Sequence, residues 1–453
     1  MKKIAVVILA AGEGTRMKSD TPKVLHKVGG VPMLGRVLAA LEVLKPAKLC
    51  VVVGHHSEKV KKEFAGKNIV FVEQARQLGS GHALMQAAKT LKAFKGDVLV
   101  LCGDAPLIKA ETLREFVSFH GAQGNEASVL SSELDNPFGY GRILRHSSGQ
   151  VAKIVEEKDA SLPVKRIREI NSGIYCFKSP ALWKVLGKIK NNNAKKEYYL
   201  TDSIAILNAL SRPVGAYKIR GVEEILGVNS RVELAKAEAV LRKRALEKIM
   251  AEGVTVLDPA NTYISPETTV GRDSVIYPGT IVEGASSIGA GSVIGPNAFI
   301  KNSKIGSFCE VRISYIYDSE VSDGVKIGPF AHIRPGTLLK ENARIGNFTE
   351  IKKSVVGRGT KVSHLAYIGD TELGVDINVG AGAITCNYDG VNKHKTYIGD
   401  GSFVGSNVNL VAPVKIGKNV LIAAGSTITE DVPAGTLAIA RTRQIIKPRK
   451  KRG

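Results

Sequence analysis

Residues 275–306 read VIYPGTIVEGASSIGAGSVIGPNAFIKNSKIG, and their aliphatic residues fall six apart: Ile276, Val282, Ile288, Ile294 and Ile300. A six-residue period fits neither the 3.6-residue turn of an α-helix nor the two-residue alternation of an ordinary strand. It is the signature of a parallel β-helix built from hexapeptides. Each hexad supplies one short strand, three hexads complete a triangular coil, and the recurring aliphatic side chain fills the narrow prism inside.

The pattern extends in both directions. It begins at Ile264 and Val270, slips in phase after Ile300, and resumes at Val321, Ile327, Ile333, Leu339, Ile345 and Ile351. After a second irregular stretch come Ile398, Val404, Leu410, Ile416, Ile422 and Ile428. Glycine often follows the aliphatic residue, as in Ile305-Gly306, Ile327-Gly328 and Ile416-Gly417, which explains the high count of 47 glycines. Large rings do not fit such a prism, in keeping with an aromatic content of 6%. Thr385 to Tyr397 breaks the repeat and is expected to project as a loop.

Upstream, residues 230–252 read as one long helix. Ser230 is placed to cap it, Ala, Leu, Glu, Lys and Arg fill it, and Gly253 ends it. Before it, β-branched runs (Ile4 to Leu9, Leu49 to Val53, Ile69 to Val72, Val98 to Leu101) alternate with helical patterns (Met33 to Leu44, His82 to Leu91). That alternation predicts an α/β, Rossmann-like domain with a mostly parallel sheet between helices. The expected division is residues 1–229, a connecting helix at 230–252, and a β-helix at 253–453 that ends in a basic tail.

The chain has 453 residues and a net charge of +22, from 64 Lys and Arg against 42 Asp and Glu. Such a balance suits anionic small-molecule partners, and no RNA- or DNA-binding motif accompanies it. Five scattered cysteines without C-x-x-C spacing exclude a thiolate zinc site and point to a reducing cytoplasm. Met1-Lys2-Lys3 and the apolar run to Ala11 imitate a secretory leader, but Gly12-Glu13-Gly14-Thr15-Arg16 offers no cleavage site. No apolar run reaches the ~20 residues of a membrane span.

Leu9-Ala10-Ala11-Gly12-Glu13-Gly14-Thr15-Arg16-Met17 follows the first strand directly. Glycines there let backbone N–H groups approach phosphates, and Arg16 and then Lys23, in Thr21-Pro22-Lys23, add positive charge. Asp97-Val98-Leu99-Val100-Leu101-Cys102-Gly103-Asp104 is a buried strand that delivers a carboxylate at the sheet edge where α/β proteins bind ligands. Asp104 suits Mg²⁺ or a helix cap, and Asn229, in Gly227-Val228-Asn229-Ser230, suits a second metal oxygen, a cap, or both.

The glycine-rich pattern resembles that of nucleotidyltransferases that activate sugar phosphates. Nearly the whole chain resembles the bacterial bifunctional N-acetylglucosamine-1-phosphate uridylyltransferase/glucosamine-1-phosphate acetyltransferase family. The resemblance implies synthesis of UDP-N-acetylglucosamine, a precursor of peptidoglycan and lipopolysaccharide, by a cytoplasmic homotrimer with a left-handed β-helix. It implies acetyl-coenzyme A and UTP as co-substrates and Mg²⁺ held by Asp104 and Asn229. Leu9, Ala10, Ala11, Gly12, Lys23 and Asn229 then line the nucleotide site. Gln74, Gly79 and Ser80 read the uracil, and Gly141, Glu156 and Asn171 hold the sugar. Ser80 and Cys102 stand where the family pattern has Thr and Tyr. Uridylyl transfer would rely on Mg²⁺, Arg16 and Lys23 to neutralise charge growing on the leaving phosphate.

In the second half, Lys361-Val362-Ser363-His364-Leu365-Ala366-Tyr367-Ile368-Gly369-Asp370 matches the family segment that holds the general base, His364. A neutral imidazole takes a proton from the attacking amine. The resemblance gives Ser406 to the oxyanion, and Glu350 and Asn387 to orienting the base and the amine. It assigns Arg334, Lys352, Tyr367, Asn378 and Lys393 to the sugar phosphate. Ala381, Asn387, Tyr388, Ser406, Ala424 and Arg441 fall to acetyl-coenzyme A. Two rival readings are a nucleotidyltransferase of other specificity that uses its β-helix only for assembly, and a non-catalytic scaffold like the initiation-factor exchange subunits. The acetyl-site set counts against the first, and intact Gly14-Thr15-Arg16, Lys23 and Asp104 count against the second.

Overall fold

The structure is a computed structural model that describes residues 3–448; Met1 and Lys2 of the leader-like stretch, and Arg449 to Gly453 of the basic tail, lie outside the described residues. The chain divides into two compact units, residues 1–241 and 242–453, and the division falls within the helix Arg231–Ala251.

In the first unit nine strands form one sheet: β1 (Ile4–Ala10), β2 (Lys48–Val53), β3 (Val70–Glu73), β4 (Asp97–Cys102), β5 (Ala127–Glu133), β6 (Arg142–Arg145), β7 (Val151–Val155), β8 (Glu169–Lys178) and β9 (Val214–Lys218). The main order is β9-β5-β8-β4-β1-β2-β3, with the β6–β7 hairpin paired to β8. Most neighbours are parallel, and β8 alone in this path runs antiparallel to both β4 and β5. β1 is fully buried over Ala5 to Ile8, as a strand covered on both faces requires. Register pairs Leu9 with Cys102, so the glycine-rich turn after β1 and Asp104 after β4 leave the sheet side by side. Gly103 makes that approach possible, since a Cβ on it would lie 3.2 Å from the Ala10 Cβ.

The connecting helix begins as its sequence dictates. The Ser230 hydroxyl accepts the Glu233 N–H at 3.2 Å, and the Glu233 carboxylate accepts the Asn229 N–H at 2.7 Å. This reciprocal cap fixes Asn229 as well as the helix. Gly253, at φ +95°, ends it. Among the described residues no helix is long and apolar enough to cross a membrane.

The second unit is a parallel β-helix of three sheets with eleven, ten and nine strands. The hexad residues point inward: Ile276, Val282, Ile294, Ile300, Ile333 and Ile351 are at most 1% exposed. Each such burial contributes about 1.5–3 kcal/mol, which a two-residue strand could not otherwise supply. The phase slip is a local tightening of the coil. Ile276 pairs with Ile294, but Ile288 pairs with Ile305 and Ile300 with Ile316. The second break is an insertion. Asn378 pairs with Phe403, and the intervening segment leaves the coil between the strands Ile384–Cys386 and Thr396–Ile398.

Candidate functional sites

In the first unit the glycine-rich turn borders a cleft of about 500 Å³ lined by Gly12, Gly14, Thr21, Lys23, Gln74 and Gln77. Gly14, at φ +65°, faces Lys23, and a Cβ on it would meet the Lys23 Cβ at 2.8 Å. Only glycine allows the turn to wrap that side chain. The Lys23 ammonium pairs with Asp104 and donates to Asn229 Oδ1 at 2.9 Å. A Cβ on Gly227 would stand 3.5 Å from Asn229 Nδ2 and 3.8 Å from Asp104 Oδ1, so the two side chains converge beside that glycine. Among the described residues no three His, Cys, Asp or Glu side chains cluster as a metal site. The pair of oxygens around one ammonium nevertheless suits a divalent cation that draws its remaining ligands from phosphates and water. Arg16 sits exposed on the short helix Thr15–Met17, beside this cleft's lining.

Gln74 is 4% exposed and donates to the Gly79 carbonyl at 3.1 Å, with its amide also 3.0 Å from His82 Nδ1. The Ser80 hydroxyl accepts the Leu200 N–H at 3.1 Å. Gly141, Glu156 and Asn171 converge: the Asn171 N–H donates to the Gly141 carbonyl at 2.9 Å, and a Cβ on Gly141 would lie 3.5 Å from both Glu156 carboxylate oxygens. Burial, only partly offset by the Thr201 hydroxyl at 3.2 Å and by Lys195, raises the Glu156 carboxyl above its usual range. Thr201 escaped the sequence reading, since no motif marks it, and it stands directly before the helix Asp202–Ala209 without capping it through its side chain. Cys102 donates weakly to the Gly173 carbonyl at 3.6 Å, and burial, then the Asp104 charge, push its thiol up to about 12 against the opposing Lys23. It is a neutral packing group at pH 7, not a nucleophile.

In the second unit strand register sorts the expected residues into two groups. Val362, Val379, Val404 and Ile422 pair in succession, so two positions on, His364, Ala381, Ser406 and Ala424 occupy equivalent places on successive coils. Arg441 continues the column by donating to the Ala424 carbonyl at 2.7 Å. His364 Nδ1 lies 2.6 Å from Asn347 Oδ1, the equivalent residue one coil earlier. An oxygen acceptor there calls for Nδ1–H and leaves Nε2 as the basic nitrogen.

The second group lies across one face of the coil. Arg334 donates to Glu350 at 2.7 Å, and Asn387 donates to Asp370 at 2.6 Å. Lys352 has Lys393 and Arg334 as like-charged neighbours, and Tyr367 and Asn387 flank Gly369. Asn378 begins the strand that ends just before Ala381, in register with Lys361, and Tyr388 is exposed on the inserted loop. Within one chain the structure therefore unites His364 with Ala381, Ser406, Ala424 and Arg441. It unites Arg334, Lys352, Tyr367, Lys393 and Asn387 elsewhere. Within the chain Glu350 pairs with Arg334, and Asn347 holds the imidazole.

Both units match known families. Residues 6–167 match the MobA-like NTP transferase domain, and residues 267–302 and 395–430 match the bacterial transferase hexapeptide (six repeats). A "Bifunctional protein GlmU" from a Geobacillus species is 52% identical, with 99% of this chain and 97% of that protein covered. The protein of the same name from Caldanaerobacter subterraneus is 54% identical over the same shares, and that from Halalkalibacterium halodurans is 51% identical over 97% of each. The chain belongs to the GlmU family. As a GlmU family member it is a bifunctional enzyme with uridylyltransferase and acetyltransferase activity. The nucleotidyltransferase match lies in the first unit and the hexapeptide matches lie in the second.

Proposed function

We propose that the GlmU second unit acetylates glucosamine-1-phosphate, and that the first unit joins the product to UMP in the cytoplasm. Acetyl-coenzyme A lies along the column of Ala381, Ser406, Ala424 and Arg441, with Asn387 and Tyr388 contributing from their side. The substrate phosphate is met by Arg334, Lys352 and Lys393, with Tyr367 and Asn378 around the sugar. The amine attacks the thioester carbonyl, Nε2 of His364 takes its proton, and Ser406 donates to the oxyanion. Coenzyme A leaves as the thiol.

The base column and the cation cluster sit on different edges of one coil, so a complete site draws on more than one copy. This supports a homotrimer. So does the stacked pair Phe330 and Phe348, with ring centroids 5.3 Å apart and both rings more than half exposed. Exposed apolar rings in a row suit burial against another copy.

In the first unit N-acetylglucosamine-1-phosphate rests on Gly141, Glu156 and Asn171, and its phosphate oxygen attacks the α-phosphorus of UTP as pyrophosphate departs. Mg²⁺, when bound by Asp104 and Asn229, neutralises charge on the phosphates. Lys23 and Arg16 stabilise the leaving oxygens, while Gln74, Gly79 and Ser80 select uracil.

The observation that carries this reading is the register that stacks His364, Ala381, Ser406 and Ala424 in one line. The test is an assay with glucosamine-1-phosphate, acetyl-coenzyme A, UTP and Mg²⁺ that follows thiol and pyrophosphate separately. Pyrophosphate release should require acetyl-coenzyme A. Equal release without it would overturn the proposed order.

A further inference from the structure

The motif Asn387-Tyr388-Asp389-Gly390 contains a residue, Asp389, to which the proposed chemistry gives no task. Its carboxylate is the hub of the inserted loop. One oxygen accepts the N–H groups of Val391 at 2.8 Å and Asn392 at 2.6 Å, and the other is 2.7 Å from Nε2 of His394. The Asp389 N–H donates to the Asn392 carbonyl, the His394 N–H donates to the Asn387 carbonyl, and Tyr388 is bridged to Lys393. Together these bonds make a small closed hairpin. The bond from Asn387 to the buried Asp370 roots that hairpin in the coil. The Asp389 carboxyl is held well below the usual carboxylate range, first by His394 and then by the two backbone N–H groups.

The hairpin brings together like charges. The Lys352 amino group is held below its ordinary value, first by the Lys393 amino group beside it, then by desolvation, then by the charges of Lys393 and Arg334, against the opposing Asp370. Like-charged lysines held as neighbours are unfavourable unless the backbone compels them or an anion relieves them.

We propose that Asp389, clamped to His394 and to the backbone of its own turn, is a positioning residue that presents Lys393 beside Lys352 and Arg334 as a preassembled seat for the phosphate of the amino-sugar substrate. The proposal rests on the assignment of those three cations to the sugar phosphate. A residue that only formed the turn would change stability and leave substrate affinity alone. A positioning residue changes the affinity for the group that Lys393 meets.

The test uses the full chain and steady-state acetyl transfer. Asp389→Ala should raise KM for glucosamine-1-phosphate at least about tenfold, the order that loss of a charge-assisted hydrogen bond gives, with kcat within about twofold. Asp389→Asn keeps an acceptor for the Val391 and Asn392 N–H groups and should recover part of that loss. Lys393→Met should raise the same KM, and the double variant should be little worse than either single one, because both changes remove the same contact. Uridylyl transfer and the melting temperature of each variant report on folding, and Asp389→Asn decides if the alanine variant melts early. Full additivity, or an unchanged KM in both Asp389 variants beside a raised KM in Lys393→Met, would overturn the positioning role and leave the cation assignment standing. An unchanged KM in Lys393→Met would overturn the cation assignment itself.

Discussion

Lys23 and Asn229, 206 positions apart in sequence, are joined by a 2.9 Å hydrogen bond from the lysine ammonium to the asparagine side-chain oxygen, and the same ammonium pairs with Asp104. The first turn of the unit, the end of its central strand and the cap of its last helix meet at one positive charge.

Asp104→Ala should lower uridylyl transfer by at least about a hundredfold, the order that loss of one preorganised electrostatic group costs. Acetyl transfer should stay within about twofold, because its candidate residues all lie beyond residue 330. The two rates are read separately as pyrophosphate and as thiol. Uridylyl transfer within a few-fold of the parent at limiting Mg²⁺ would remove Asp104 from the metal site.

Glu156 gives a pH-dependent prediction. Burial, its largest influence, raises its carboxyl above the ordinary 4.5. The folded unit therefore holds that proton more tightly than the unfolded chain does. This contribution is present at low pH and is lost as pH rises from the unfolded value through the folded one. Glu156→Gln should raise the melting temperature of this unit at neutral pH and flatten its change between acid and neutral pH. It should also raise KM for N-acetylglucosamine-1-phosphate. Thermal scans at paired pH values check the sign, and a lower melting temperature at pH 7 would contradict it.

Gly289→Ala places a Cβ 2.4 Å from the Ser307 nitrogen and 2.5 Å from the Gly306 carbonyl carbon on the next coil. Backbone cannot step aside as a side chain does, so the β-helix should lose about 1–3 kcal/mol, as overpacking costs. Gly187→Ala meets open space at an ordinary φ of −67° and should change stability by no more than about 0.5 kcal/mol. Denaturant titration of both variants makes the comparison.

The β-helix was legible because its inward residue recurs every six positions over long runs, and the burial of Ile276 through Ile300 and of Ile327 through Ile351 follows that interval on either side of the slip. The helix start was legible because Ser230 stands directly before the helical run, whereas the part played by Glu233 showed only in the structure. What stayed hidden depends on long-range register. The Lys23–Asn229 bond spans the first unit and leaves no local pattern. Asn347 is the residue one coil before His364, and that relation appears only once the coil length is known. Coils shortened near Ile305 and lengthened by the loop after Asn378 shift this count, so sequence spacing alone could not align Ala381 with Ser406. Arg334 pairs with Glu350 across neighbouring coils, a contact that sequence spacing does not show either.

The central claim is that the acetyl-transfer base belongs to the β-helix and acts independently of the nucleotide cleft. Acetyl and uridylyl transfer by His364→Ala, measured in the same preparation at saturating substrates, test it most directly. A lost general base costs about 10²–10⁴-fold, so thiol release should fall at least about a hundredfold, while pyrophosphate release from UTP and N-acetylglucosamine-1-phosphate holds within about twofold. Retention of more than roughly a tenth of the parent acetyl transfer would make His364 a structural residue and would contradict the account.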